Sequence, residues 1–125
     1  MLVNEGSYEG KRILSKESVN EILRNQTGGA RPSTIQYGLG CWIDYLDDQG
    51  NPVQASSYGA LYFVPWIDKG RGVYAVLGLR DKKAQTLVPQ VFQAVRAAIP
   101  SRFPDMKATA SVMADLDQRL GSEKR

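Results

Sequence analysis

The sequence predicts an α+β fold: a three-stranded antiparallel sheet with a preceding helix and a C-terminal helix packed on it. Three apolar runs rich in β-branched and aromatic residues lie within residues 37–79. Turn-forming residues separate them, at positions 47–52 and 69–72. Strands joined by short turns of this kind typically pair as an antiparallel meander. The flanking segments carry apolar residues at helical spacing, which indicates helices that cover the sheet.

Length and composition exclude several classes of protein. A chain of 125 residues is one domain or part of one. No apolar run approaches the ~18 residues that a membrane span needs. The net charge of +3 is spread along the chain, which favours a solvated basic surface over a nucleic-acid site, because counterion-release binding needs a concentrated patch. The chain has no histidine, so Ser-His-Asp or Cys-His catalysis and histidine-ligated metals are excluded.

The single cysteine and the N-terminus limit the chemistry and the compartment. One cysteine excludes an internal disulfide and any multi-cysteine metal site. Its neighbours are Gly40 and Trp42, so we expect Cys41 to be a buried strand thiol. The first residues lack the basic start and apolar core of a signal peptide. We therefore expect a cytoplasmic protein if Met1 is the natural start, and export stays open if the chain is part of a longer one.

Local signals place the first helix. Residues 1–14 alternate turn-forming and apolar residues, which predicts a short hairpin or loop. Ser15 is a favourable N-cap, and Leu14 and Val19 have the spacing of a hydrophobic staple. Gly28 and the glycine after it predict that the helix ends at about residues 25–27.

The three predicted strands follow. The first strand begins at Tyr37. Its two glycines, Gly38 and Gly40, share one face, and their missing side chains leave an opening for a ligand or for a closely packed helix; both interpretations stay open. The second runs from Gln54 to Trp66, with Pro65 at a bulge, an edge or the strand end. The third, residues 73–79, is nearly all apolar, as expected of a central strand covered on both faces.

The C-terminal part contains a second helix and a tail. A wide apolar stripe predicts a helix capped by Thr86, with Pro89 in its first turn and Pro100 after its end. It is expected to lie across the sheet. Residues 101–125 are predicted to be a linker followed by a weakly amphipathic segment, which is a short helix, a partner-binding tail or disordered.

The order of several short motifs resembles that of a known family. YGLG at residues 37–40 is followed by SYGA at 57–60 and PWID at 65–68, and then by an apolar strand and a terminal helix. This order is similar to the C-terminal portion of the serine β-lactamase and penicillin-binding-protein-like hydrolases, in particular their esterase and class C-like branch. The resemblance covers roughly residues 1–100 and implies a partial β-lactamase-like fold, with residues 101–125 outside it.

The resemblance also implies roles for individual residues. The family has three catalytic motifs: a nucleophilic serine with a lysine (SxxK), a second motif (YxN or SxN), and a third motif on a strand that lines the pocket. A backbone amide just after the glycine of the third motif donates a hydrogen bond into the oxyanion hole. By the resemblance, Ser57, Tyr58 and Gly59 are substrate-binding residues and the Ala60 backbone amide is the oxyanion donor. Ser57 stands where the family has a basic residue, which argues against electrostatic recognition of a substrate carboxylate.

The nucleophile motif is missing from the sequence. Neither SxxK nor YxN occurs, and Ser18-Val19-Asn20, which matches SxN, falls inside the first predicted helix. We therefore expect a C-terminal segment of a serine hydrolase, with ester, amide or β-lactam substrates, that is inactive alone. Its expected partners are the N-terminal remainder of the hydrolase or a second copy of itself. The alternative is a non-catalytic interaction module that uses an exposed sheet edge or the C-terminal tail.

No cofactor or metal site is expected. Residues 70–75 match the loose dinucleotide pattern GxGxxA, but they lead into a strand, whereas a pyrophosphate site needs a following helix. Asp44, Asp47, Asp48 and Asp68 lack calcium-loop spacing, so solvated turns are the preferred interpretation.

Overall fold

The structure, a computed structural model, describes residues 1–28, 36–58, 63–81, 87–103 and 105–109. A 3₁₀ turn (Leu2–Asn4) and a small hairpin of β1 (Ser7–Tyr8) and β2 (Lys11–Arg12) precede helix α1 (Lys16–Leu23). Next come strands β3 (Trp42–Leu46), β4 (Pro52–Ser56), β5 (Phe63–Asp68) and β6 (Val73–Gly78), helix α2 (Val88–Ala98) and strand β7 (Lys107–Ala108). The predicted α+β class is confirmed.

The main sheet has five strands in the order β6-β5-β4-β3-β7, and all neighbours are antiparallel. The predicted three-stranded sheet is therefore wrong in its strand number. The predicted second strand is in fact two strands, because the chain reverses between β4 and β5 and pairs Ser56 with Trp66. The fifth strand, β7, pairs Ala108 with Tyr45 of β3.

The first strand begins later than predicted. Tyr37 forms only an isolated bridge with Trp42, and the Gly38 amide donates to the Cys41 carbonyl at 2.8 Å, so residues 38–41 turn back before β3. A Cβ atom at Gly38 would collide with the Ile22 carbonyl oxygen of α1. The missing side chain thus permits close packing of helix and turn, one of the two interpretations of the glycine pair.

Helix α1 covers one face of the sheet. The Ser15 hydroxyl accepts a hydrogen bond from the Ser18 amide at 3.0 Å, as the capping signal predicts. Val19 and Leu23 are buried against Ala55 of β4, with Leu14 packed beside them. The helix ends at Leu23, earlier than predicted, because Arg24 already has an extended backbone with ψ 139°.

Helix α2 covers the opposite face. Phe92 stacks on Trp66 of β5 with ring centroids 4.3 Å apart and planes 18° from parallel. Val64 and Val88 complete this buried cluster. The prediction that the helix packs on the sheet is confirmed, and Pro89 lies in its first turn. Thr86, the predicted cap, lies outside the described residues.

Strand β6 differs from its predicted setting. It pairs with β5 on one side and is the outer strand of the described sheet. Its residues alternate between half-buried and exposed, and Tyr74 and Val76 are 71% and 54% exposed. The prediction of a central strand covered on both faces is wrong, because α2 packs on one face only and α1 lies over β4 and β5.

The segment after residue 100 contacts the sheet. The Arg102 amide donates to the Gly70 carbonyl at 3.0 Å, and the Thr109 amide donates to the Asp44 carbonyl at 3.0 Å. The division of the chain after residue 100 stays a prediction, and residues 110–125 of the predicted tail lie outside the described residues. None of the helices in the described parts of the chain is long and apolar enough to cross a membrane.

Candidate functional site

A pocket of about 170 Å³ lies between α1 and the end of β4, and we refer to it as the β4 pocket. Five separate segments build it: the N-terminal turn, α1, the turn before β3, the end of β4, and β5. Its lining residues are Leu2, Ile22, Leu23, Leu39, Gly40, Cys41, Ala55, Ser56, Ser57, Pro65, Trp66 and Ile67. The pocket therefore adjoins the position that the resemblance gives to the third motif.

The structure places two of the predicted substrate-binding residues, Ser57 and Tyr58, on opposite faces of the sheet. Ser57 is half-buried and lines the pocket, and its amide donates to the Pro65 carbonyl at 3.0 Å, which continues the ladder beyond β4. Tyr58 packs against the Trp66–Phe92 cluster under α2. Successive residues of an extended chain point to opposite faces, so of these two side chains Ser57 faces the pocket and Tyr58 does not. Gly59 and Ala60 lie outside the described residues, and their roles stay predictions.

Cys41 forms part of the pocket wall. Its thiol is half-buried in the turn before β3 and lies 3.8 Å from the Ile22 carbonyl oxygen. Burial raises the pKa of this thiol, and the nearby Asp44 carboxylate raises it further, against a smaller opposing effect of a backbone hydrogen bond with Gly38. Because the thiolate is the reactive form, Cys41 at neutral pH is a weakly polar wall residue and a poor nucleophile.

Ser56 is a buried polar residue that the sequence analysis did not single out. It is 2% exposed, and its hydroxyl has no hydrogen-bond partner within the described structure. The pairing with Trp66 places it on the face that α2 covers. A serine nucleophile needs a base within about 2.6–3.2 Å, so this hydroxyl is not activated by any group that the structure describes.

A second, larger groove of about 880 Å³ runs between α1 and the β3–β4 turn. Charged and amide side chains dominate it, and several of these have structural partners. Asp47 accepts the Asn51 amide at 2.7 Å and the Gln49 amide at 3.0 Å, and the hydrogen bonds with Asn51 lower the pKa of Asp47. Asp47 therefore stabilises the turn in which it lies.

The aspartates that the sequence analysis considered do not form one cation site. Asp47 belongs to the β3–β4 turn, whereas Asp68 pairs with Arg71 at 2.9 Å. Within the ranges that the structure describes, no three His, Cys, Asp or Glu side chains come together in a possible metal site.

Comparisons with known proteins bear on the fold. No protein-family model matches the chain, and no curated protein matches it. Among solved structures, the chain is similar to the one described as "Crystal structure of putative beta-lactamase from Bacteroides dorei DSM 17855", at 27% identity and a TM-score of 0.55. The match covers 77% of this chain but 37% of that chain, so this chain spans little more than a third of that protein's length. This likeness supports a β-lactamase-like fold.

Proposed function

We propose that this chain is the C-terminal segment of a serine β-lactamase-like hydrolase, with ester, amide or β-lactam substrates. The likeness to 37% of the Bacteroides dorei protein carries the proposal. The chain contributes the strand beside the reactive serine, whereas the serine and its base belong to another stretch of polypeptide, because SxxK and YxN do not occur in this sequence. The remaining polypeptide, or a second copy of the chain, is its partner.

The end of β4 supports this division of roles. Ser57 lies at the pocket wall, and its amide is held by Pro65 of the neighbouring strand. In the proposed enzyme, Ser57 and Gly59 contact the substrate, Tyr58 anchors the strand under α2, and the Ala60 amide donates to the oxyanion of the tetrahedral intermediate. A backbone donor suits this role because it is held rigidly where the negative charge develops.

Two measurements test the proposal. The isolated chain, assayed with nitrophenyl acetate and with nitrocefin, is expected to give no hydrolysis above a heat-denatured control. The coding sequence upstream of Met1 is expected to contain an in-frame segment with SxxK, and the extended protein is expected to hydrolyse one of the two substrates. Replacing the SxxK serine with alanine should then lower kcat by about 1,000-fold or more. Robust turnover by the isolated chain, or an inactive extended protein, would contradict the proposal.

The alternative is a non-catalytic interaction module, and it is favoured by strand β6, which has no neighbour on its outer edge in the described sheet. An outer strand with unpaired backbone groups is a template for a strand from another protein. Tyr74 and Val76 add exposed apolar surface to this edge. Under this alternative, a ribosome-binding site is expected directly before Met1 and no in-frame SxxK is expected upstream. Sequencing the region upstream of Met1 therefore distinguishes the two proposed functions.

A further inference from the structure

We infer that the β4 pocket binds an uncharged apolar acyl group of about six non-hydrogen atoms, so that neutral esters or amides, and not substrates that present a carboxylate there, are its ligands. The designation of these ligands as substrates rests on the proposed function. The binding of the apolar group depends on the pocket alone.

The size of the ligand follows from the volume of the pocket. A water molecule occupies roughly 30 Å³ in the liquid, and an engineered apolar cavity of about 150 Å³ in another protein binds benzene. The β4 pocket has a volume of about 170 Å³. A phenyl ring or a short branched acyl chain therefore fits, whereas a larger fused ring system would extend out of the pocket.

The lining determines the polarity of the ligand. Leu2, Ile22, Leu39, Ile67 and other apolar side chains form most of the wall. No lysine or arginine is among the described residues that line it. Moving a carboxylate from water into such a site without a cation is strongly unfavourable, and an uncharged group avoids that cost.

The electrostatic potential at the wall also opposes an anion. Asp44 is 1% exposed, and its negative charge disfavours ionisation of the Cys41 thiol in the pocket. The same charge disfavours a ligand carboxylate at that place. An ammonium group would be attracted, but it would lose its hydration against the apolar wall. The neutral ligand is therefore preferred over both charged forms.

The single cysteine provides a site-specific test. Because Cys41 lines the pocket and is the only thiol in the chain, its alkylation by iodoacetamide at fixed pH reports whether the pocket is occupied. Benzamide, benzoate and benzylamine present the same ring with neutral, negative and positive substituents. We expect saturating benzamide to slow alkylation at least threefold. Benzoate and benzylamine should need at least tenfold higher concentrations for the same protection.

A matched pair of variants tests the role of charge. Leu39 lines the pocket and Ile13 does not, and both are 56% exposed, so a lysine is expected to be tolerated at either position. Leu39→Lys should lower the benzoate concentration needed for a given protection of Cys41 at least fivefold, because it supplies a cation to the pocket. Ile13→Lys should leave the protection given by each of the three probes unchanged. Circular dichroism would verify that both variants fold.

Several results would overturn the inference. Benzoate protecting the unmodified chain as well as benzamide would do so, as would absence of protection by every probe or an equal effect of the two lysine variants. The result is separable from the test of the proposed function. If benzamide protects Cys41 but the extended protein is inactive, the binding inference stands and its designation as a substrate site fails. An active extended protein without protection of Cys41 would refute this inference alone.

Discussion

Asp68 and Arg71 form a buried ion pair that connects β5, the following turn and the end of α2. The Asp68 carboxylate accepts hydrogen bonds from the Arg71 guanidinium at 2.9 Å, from the Arg71 amide at 3.0 Å and from the Gln54 side chain at 2.7 Å. The same guanidinium donates to the Ile99 carbonyl at 2.8 Å. The two side chains are 0% and 9% exposed. Because Asp68 is fully buried, loss of either partner would leave an uncompensated charge.

We expect Asp68→Ala to lower the free energy of unfolding by about 3–5 kcal/mol, measured by urea denaturation. Glu21→Ala is the matched control, because Glu21 and Arg24 form an ion pair with the same i,i+3 spacing whose side chains are 48% and 65% exposed. An exposed pair of this kind contributes little, so the control should unfold almost as the parent does. An equal loss of stability in the two variants would show that burial does not determine how much the Asp68–Arg71 pair contributes to stability.

The raised pKa of Cys41 predicts a dependence of stability on pH. In the folded chain, burial favours the neutral thiol, so the folded state retains its proton at a pH where the unfolded chain has lost it. The resulting stabilisation is fully present below the pKa of the unfolded thiol, about 8.5, and is lost as pH rises through the pKa of the folded thiol.

Urea denaturation of the parent and of Cys41→Ala, at several values between about pH 7 and pH 10, measures this effect. We expect the parent to lose more stability than the variant as the pH rises. Other titrating groups are common to the two proteins and cancel in the difference. Parallel pH profiles would mean that the Cys41 thiol titrates alike in the folded and unfolded states.

At the scale of elements, the contact of α1 with the turn before β3 depends on Gly38. The Leu39 amide donates to the Ile22 carbonyl at 2.8 Å, and this bond brings the Gly38 backbone against the same carbonyl group. We expect Gly38→Ala to destabilise the protein by about 1–3 kcal/mol, because the added methyl forces α1 and the turn apart. Thermal unfolding would measure the change.

The control for this prediction is Gly78→Ala. A Cβ atom at Gly78, in the outer strand β6, would meet no atom within 4 Å, so no steric loss is expected there. The unfolded chain loses freedom when glycine is replaced, and the variant should be unchanged or slightly more stable. A Gly38→Ala protein as stable as the parent would contradict the close packing of α1 on the turn.

Elements with local signals could be predicted from the sequence, and elements set by distant contacts could not. The start of α1 follows from Ser15 with its neighbours Leu14 and Val19, which act within one helical turn. The sequence pattern does not predict the chain reversal between β4 and β5, because the residues around it are also apolar and aromatic. The pattern therefore predicts one strand where the structure has two. Strand β7 has two residues, too few for a periodic pattern.

The candidate site was predictable only in part. Ser57 lines the pocket and Tyr58 packs in the core under α2, and the substrate-binding roles of both stay predictions. The glycine pair was an informative signal, because α1 packs closely against the backbone of Gly38 and Gly40 lines the pocket. The apolar wall of the pocket is formed by residues far apart in sequence, such as Leu2 and Ile67, and no local sequence pattern indicates that they lie close together.

In the molecule as a whole, the two edges of the sheet differ. On one side β7 pairs with the outer edge of β3, whereas β6 on the other side has a neighbour only on its inner edge in the described sheet. Phe63, Tyr74 and Val76 lie beside or on this outer strand and are 54–71% exposed. An open edge with apolar side chains readily pairs with another strand.

We therefore expect the chain to associate through β6, with itself or with the further polypeptide that the proposed function requires. Light scattering of the dilute protein should give a mass above that of the monomer. Val76→Lys should restore the monomer, because a charge on an outer strand opposes pairing. Val91→Lys, on the exposed side of α2 where Val91 is 41% exposed, is the control and should not change the mass. A stable monomer of the parent would contradict this expectation.

The short strand β7 sets a limit on such an assembly. If two copies join through β6 about a twofold axis, their sheets merge into one, and each outer end of the merged sheet is a β7 strand. In the described sheet, each of these ends is a strand of two residues, and so short an edge is a poor template for a further strand. Association through β6 is therefore expected to stop at the pair.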